Sequence, residues 1–314
     1  MGVSCPECED FLQEECPLRA FLKFLLVISV ILGLSIFLAP WLYTFLPYKF
    51  ERIFNRLIMI FSLAAVLLFV RVRRAALTEL GFEWSGKKSA QQIAAGFLCG
   101  FLVLLLFLGI KVALKQAVWA PDAESLVAFG LQVGGAFFAA FLIGVIEEFF
   151  FRGFVFKTCL GQWRWPLLLS LLATNVFYSL IHFVAFYKPF VDPTPGWIDS
   201  LRLAGAPFIA LGGIGQFWPE ALGLLIFGMI LSRIVLTARS LFPAIGLHAG
   251  CVFFVKLDGE FFDFPDSVNR LWFSSGKFYD GVVGWLFLGL MGFVLDCVLR
   301  RAPAFHAGKE RGCL

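Results

Sequence analysis

Apolar runs too long for the interior of a soluble domain recur along almost the whole of this chain. Inside a bilayer the backbone must satisfy its own hydrogen bonds, which leaves only helices and closed barrels, and a helix needs roughly 20 apolar residues to cross. Eight stretches approach or exceed that length: about 21–46, 55–70, 90–114, 125–159, 166–187, 218–237, 240–256 and 281–299. They are continuous and rich in Leu and Phe, without the alternating ten-residue segments of a membrane barrel. Of 314 residues 60% are hydrophobic and only 15% charged, which excludes a soluble domain with a polar surface. The expected fold is therefore all-α, a polytopic membrane helix bundle of about eight transmembrane helices, with seven as the alternative because the second and seventh stretches are short.

The first 23 residues hold five acids and only Arg19 and Lys23 as bases. That charge is wrong for a secretory signal, so the first span is expected to stay in the mature protein. With both termini in the cytoplasm, 16 of the 26 Lys and Arg residues lie inside, the densest group being Arg71, Arg73 and Arg74, and this bias sets orientation. The expected organisation is a cytoplasmic Cys-containing tail over 1–20, one transmembrane domain over 21–300 with its motif core at 130–254, and a cytoplasmic tail over 301–314. No internal repeat is visible. Residues 188–217, with an amphipathic stretch near Trp197–Leu203, and 257–280 read as external loops. The net charge of +4 follows from orientation and lipid headgroups, so the bilayer, and no nucleic acid, is the expected surrounding of a multi-pass cell-membrane protein. Cys5-Pro6-Glu7-Cys8 with Cys16 resembles half of a zinc site, without a nearby fourth ligand; a reduced tail is the plainer reading. Cys99, Cys159, Cys251 and Cys297 lie in or near spans, where free Cys behaves as a small apolar residue.

Between Val127 and Phe156 the only ionisable side chains are Glu147, Glu148 and Arg152. A single Asp, Lys or Arg at a helix centre costs on the order of 2.5–3.5 kcal/mol to insert, so such residues pair with one another or face a wet cavity. Glu148 and Arg152 are spaced to pair along one helix face. Glu147 points about 100° away, free to face a cavity. Of three histidines, His182 and His248 fall in apolar helices. Counting from the helix ends at 1.5 Å per residue puts Glu147, His182 and His248 at depths of about 18, 24 and 12 Å, which tilt can merge into one layer. A carboxylate in low dielectric can act as general base toward water. An imidazole can orient that water, move a proton or donate to an oxyanion. The structural alternative is a Glu–Arg lock between helices with histidines bonded to backbone carbonyls.

Glu147-Glu148-x-x-x-Arg152, then Tyr178-x-x-x-His182, then Gly246-Leu247-His248, in that order and on helices, resembles the CPBP family, the CAAX prenyl endopeptidases and bacteriocin-processing relatives, which are glutamic-type intramembrane proteases. The resemblance covers about 130–254. It implies a peptidase acting on a membrane-anchored or lipidated peptide or protein without a cofactor, Glu147 and His182 activating water, His248 helping to bind the oxyanion, and Glu148 with Arg152 holding the site together. Zinc is not required in that reading, although two His and one Glu form a known ligand set. Two positions depart from the family pattern: Tyr178 stands where Phe is usual, and Val252 stands where an Asn is usual four residues after the last motif histidine. Asn175 and Tyr178, on the His182 face of their helix, are the substitute donors to consider, with helix packing as their plainer role. The alternatives are a catalytically silent membrane-partner or immunity protein of the same family, kept open by Val252, and an ion-coupled transporter, disfavoured by the absence of repeats and broken helices.

Overall fold

A computed structural model describes residues 17–73, 80–120, 125–183, 189–212, 214–265, 272 and 277–301. Cys5, Cys8, Cys16, Arg74 and the tail 302–314 lie outside the described residues, and so do the half zinc site and the tail assignments. The described residues form nine α-helices: α1 Pro17–Tyr43, α2 Phe50–Arg73, α3 Lys87–Ala113, α4 Leu126–Glu148, α5 Leu167–Phe183, α6 Trp197–Gly212, α7 Ile214–Ala238, α8 Phe242–Phe261 and α9 Val282–Arg301. Their only described strands are β1 Val118–Trp119 and β2 Phe262–Asp263, an antiparallel pair with Val118 opposite Asp263. The protein is a helical polytopic bundle.

Each of the eight expected spans has its helix. Six are long and apolar enough to cross a membrane: α1 from Phe24, α3, α4 with the turns that prolong it, α7, α8 and α9. Of the other two, α2 carries Glu51, Arg52 and Arg56 in its first turns, and α5 has only 17 residues. Eight is thus an approximate count.

One expected loop is a helix. Within 188–217, α6 forms because its Trp197–Leu203 stretch is amphipathic and its start is capped. The Asp199 carboxylate accepts the Gly196 and Asp192 N–H groups at 2.9 and 3.3 Å and pairs with Arg202 at 2.9 Å. The Gly196 hydrogen bond first, then those of Asp192 and Arg202, hold its carboxyl below the usual carboxylate range. Ser200, Leu203 and Ala206 turn inward, where Leu203 joins Ala39 of α1 and Phe50, Ile53, Phe54 and Leu57 of α2 in a separate outer core. Trp197, Ile198, Leu201, Phe208 and Ile209 point outward.

The centre of the bundle is α8, whose residues Phe242 to Cys251 are all buried. It lies against α3 at backbone distance. A Cβ on Gly246 would run into the Ile93 carbonyl, one on Gly250 into that of Phe97, and one on Gly96 into that of Pro243. A Cβ on Gly100 would come within 2.8 Å of the Leu247 carbonyl oxygen. Gly96-x-x-x-Gly100 and Gly246-x-x-x-Gly250 therefore face each other, the small-residue pattern by which membrane helices pack when no hydrophobic force separates helix from lipid. On its other side α8 meets α4, where a Gly144 Cβ would stand 3.0 Å from the Ile245 carbonyl oxygen. The two close contacts fix the height of His248 against α4.

Candidate active site

α4 does not end at Glu148. From Phe149 to Phe156 and from Thr158 to Gln162 the helix continues in π geometry, the wider i→i+5 winding that inserts extra residues and is frequent at functional sites. Phe149 and Phe151 are buried in this stretch. Phe151 meets the Tyr178 ring edge-on at 5.0 Å, which sets α5 against the widened turn.

Arg152, fully buried, is the point where three helices meet. Its guanidinium donates to Glu148 Oε1 at 3.0 Å, to the Gly228 carbonyl of α7 at 3.3 Å and to Asn175 Oδ1 of α5 at 3.4 Å, and lies 4.4 Å from the Tyr178 ring centroid. Asn175 Nδ2 in turn donates to the Leu171 carbonyl at 2.8 Å and to Ser232 Oγ at 3.0 Å. Gly228 has to be glycine for this contact, since a Cβ there would stand 2.6 Å from Asn175 Oδ1. Glu148, also fully buried, pairs with His248 Nδ1 at 2.8 Å through the oxygen that Arg152 binds. The His248 ring is held from a second side by Phe227, edge-on at 5.5 Å.

Glu147 stands apart from this locked set. Its Oε2 lies 3.4 Å from His182 Nε2 and 3.8 Å from His248 Nε2. The Glu147 and His182 side chains keep 24% and 28% of their surface exposed, against 0% for Glu148 and Arg152. The neighbouring glutamates thus have opposite surroundings, as the rotation of about 100° per residue requires. His182 Nδ1 is 2.8 Å from the Tyr178 carbonyl. A carbonyl only accepts, so Nδ1 carries the proton and Nε2 is the atom turned to Glu147.

The structure brings together Glu147, His182 and His248 at one depth and pairs Glu148 with Arg152, the arrangement that spacing and depth imply. It puts Asn175 and Tyr178 behind Arg152. The Asn175 amide is occupied there by α4, α5 and α7 partners. Among the described residues no three His, Cys, Asp or Glu side chains are disposed to hold a metal ion. Sequence reasoning found α7 as a span but gave it no part in the site: Phe227, the Gly228 carbonyl and Ser232 all support it. A signal was present, since Gly228 and Ser232 stand four residues apart in the apolar run 221–232 of α7, the small-residue mark of a helix contact.

Residues 129–254 match the family model described as Type II CAAX prenyl endopeptidase Rce1-like. The match runs from α4 into α8 and takes in every residue of the site. No curated protein and no solved structure matches the chain significantly. The motif order, the helical bundle and this match agree: over residues 129–254 the protein is similar to the Rce1-like family of type II CAAX prenyl endopeptidases.

Proposed function

We propose that the protein is an intramembrane endopeptidase that hydrolyses a peptide bond in a membrane-anchored or lipidated substrate, with Glu147 as general base. The observation that carries this reading is the partly buried Glu147 side chain, 24% exposed, with its carboxylate within 3.4 Å of His182 and 3.8 Å of His248, beside a glutamate–arginine pair that is wholly buried. A water bonded to Glu147 and His182 loses a proton to Glu147 as its oxygen attacks the carbonyl carbon. His248, held at Nδ1 by Glu148, turns Nε2 to the oxyanion as its hydrogen-bond donor. The C–N bond breaks as the proton held by Glu147 passes by way of His182 to the departing nitrogen, leaving a carboxylate and an amine. Glu148 and Arg152 do not touch the reacting atoms; they hold His248 at the height of Glu147. The excess of Lys and Arg in alternate loops favours a cell-membrane orientation with both termini in the cytoplasm.

Glu147→Gln removes the base with little change in volume. It is expected to lower cleavage of a prenylated reporter peptide at least about a hundredfold while the purified protein melts at the wild-type temperature. Undiminished cleavage by this variant would end the mechanism. Activity in the presence of a strong chelator separates protein-held water from zinc-bound water, and the reading expects full retention.

Val252 favours a second reading, a silent family member that binds a membrane partner without cutting it. The position lies one turn beyond His248 on the same face of α8, where the family pattern has a side-chain donor. Val252→Asn decides between the two: a gain in turnover of about a hundredfold, the usual worth of one oxyanion donor, marks a weakened enzyme. Absence of turnover in both forms marks the silent one.

A further inference from the structure

Two polar side chains of α5 stand against Arg152, and they differ in what they leave unused. The Asn175 amide is occupied by the guanidinium, the Leu171 carbonyl and Ser232. Tyr178 is buried, and the hydrogen bond it makes to a side chain runs through its carbonyl, to His182 Nδ1 at 2.8 Å. Its phenol hydroxyl has no hydrogen-bond partner among the described residues. A buried tyrosine hydroxyl ordinarily has one, so an exception calls for a role.

The ring stands at the reacting level. Its centroid is 4.4 Å from that of the His182 ring and 6.4 Å from that of the His248 ring, which it meets edge-on, with the Arg152 guanidinium 4.4 Å away. Beyond the loss of solvent that burial brings, the strongest electrostatic partner of the phenol is the Glu147 carboxylate, ahead of Arg152 and Glu148. Such forces weaken with distance, so the hydroxyl is turned to the base rather than to the buried pair. A phenylalanine would make every one of the ring contacts, and the hydroxyl is the one atom that packing leaves unexplained. Val252, one turn beyond His248 on its face of α8, has no donor to offer. His248 Nε2 is then a single donor for an oxyanion whose charge is best held by more than one.

We propose that the Tyr178 hydroxyl is the second oxyanion donor of this site. The assignment rests on the endopeptidase reading of Glu147. As the water oxygen bonds to the carbonyl carbon, the π pair of the C=O bond moves onto oxygen, and Tyr178 donates its O–H to that oxygen beside His248 Nε2. The phenol keeps its proton throughout. When the C–N bond breaks, the carbonyl re-forms and both hydrogen bonds weaken, so the contact is strongest in the transition state, where it accelerates the reaction. The ring is fixed in advance by Phe151, edge-on at 5.0 Å, and by the guanidinium behind it, and a donor held in place before the charge appears is the effective kind. With Tyr178 in this role, valine at 252 leaves the site complete.

The test uses the full chain in lipid nanodiscs with a prenylated reporter peptide, and a phosphinate analogue of that peptide as a mimic of the tetrahedral intermediate. Tyr178→Phe removes one oxygen and keeps the ring. It is expected to lower kcat about a hundredfold, the usual effect of one oxyanion donor, and to weaken phosphinate binding by a similar factor. KM, the melting temperature and the position of the acid limb in the pH profile of kcat should stay at their wild-type values. Val252→Asn alone should raise kcat by less than about tenfold, since its donor would duplicate one already present. Four results overturn the proposal: an unchanged kcat in Tyr178→Phe; a loss shared by KM and the melting temperature, as for a packing role; a displaced acid limb with an unchanged plateau, as for a hydroxyl that only tunes Glu147; or a gain of about a hundredfold from Val252→Asn, which would put the missing donor at 252. The endopeptidase reading fails differently, when neither the wild type nor Val252→Asn cleaves the peptide, and the assignment falls with it.

Discussion

α8 and α1 are both apolar helices long enough to cross a membrane, yet they sit in opposite places. α8 is the least hydropathic of the six such helices and the most buried, 72% of its central window, whereas α1 is among the most hydropathic and is only 17% buried. In a soluble protein the order would be reversed. Lipid tails are as apolar as leucine, so in a bilayer hydropathy marks the surface, and glycine, serine and paired charges mark the protein interior. α8 gains its central place from Gly246, Gly250 and His248. α1 meets α2 and α6 through ordinary apolar side chains around Ala39 and Leu203.

The contrast can be broken most severely at Gly246. Gly246→Leu drives a side chain into the Ile93 carbonyl, and the loss should exceed about 4 kcal/mol, the range reserved for a disrupted core; little monodisperse protein should survive size-exclusion chromatography in detergent. Next comes Arg152→Ala. It takes the guanidinium from Glu148, Asn175 and the Gly228 carbonyl at once, and removing one partner of a buried pair costs about 3–5 kcal/mol, readable as a lowered melting temperature together with lost cleavage. In the outer region, Asp199→Ala removes the cap of α6. It should cost about 1 kcal/mol, seen as faster hydrogen exchange confined to α6 with turnover unchanged. The smallest effect belongs to the lipid face: Leu26→Ala in α1, at a residue 62% exposed, should change stability by no more than about 0.5 kcal/mol. If Leu26→Ala and Gly246→Leu were equally damaging, hydropathy and burial would not be opposed as they are described.

The chain of the outer region is legible from composition, because a run of leucines and phenylalanines has one way to avoid water. Glu147, Glu148, Arg152, His182 and His248 are legible for the opposite reason: each is costly where it stands, and their spacing says which can pair. What supports them is less visible. The Gly228 carbonyl is a backbone atom that every sequence has at every position. The facing glycines of α3 and α8 are separated by about 150 residues, and only the fold shows that they meet. Of α6 only the amphipathic stretch near Trp197–Leu203 is legible, because Pro207 within the helix and the glycines after it read locally as a connection. The π winding after Glu148 leaves composition untouched and shows only in hydrogen bonding.

That winding makes Phe149-Phe150-Phe151 a gauge of length. Glu148 must face α8 and Arg152 must reach α5 and α7, and the three rings between them set the angle from one to the other. Loss of any one of them would turn everything downstream by about 100° and carry the guanidinium away from Asn175 and Gly228. An exchange of one ring for another apolar side chain would leave the count intact. At this point of the chain the number of residues is under tighter physical constraint than their identity.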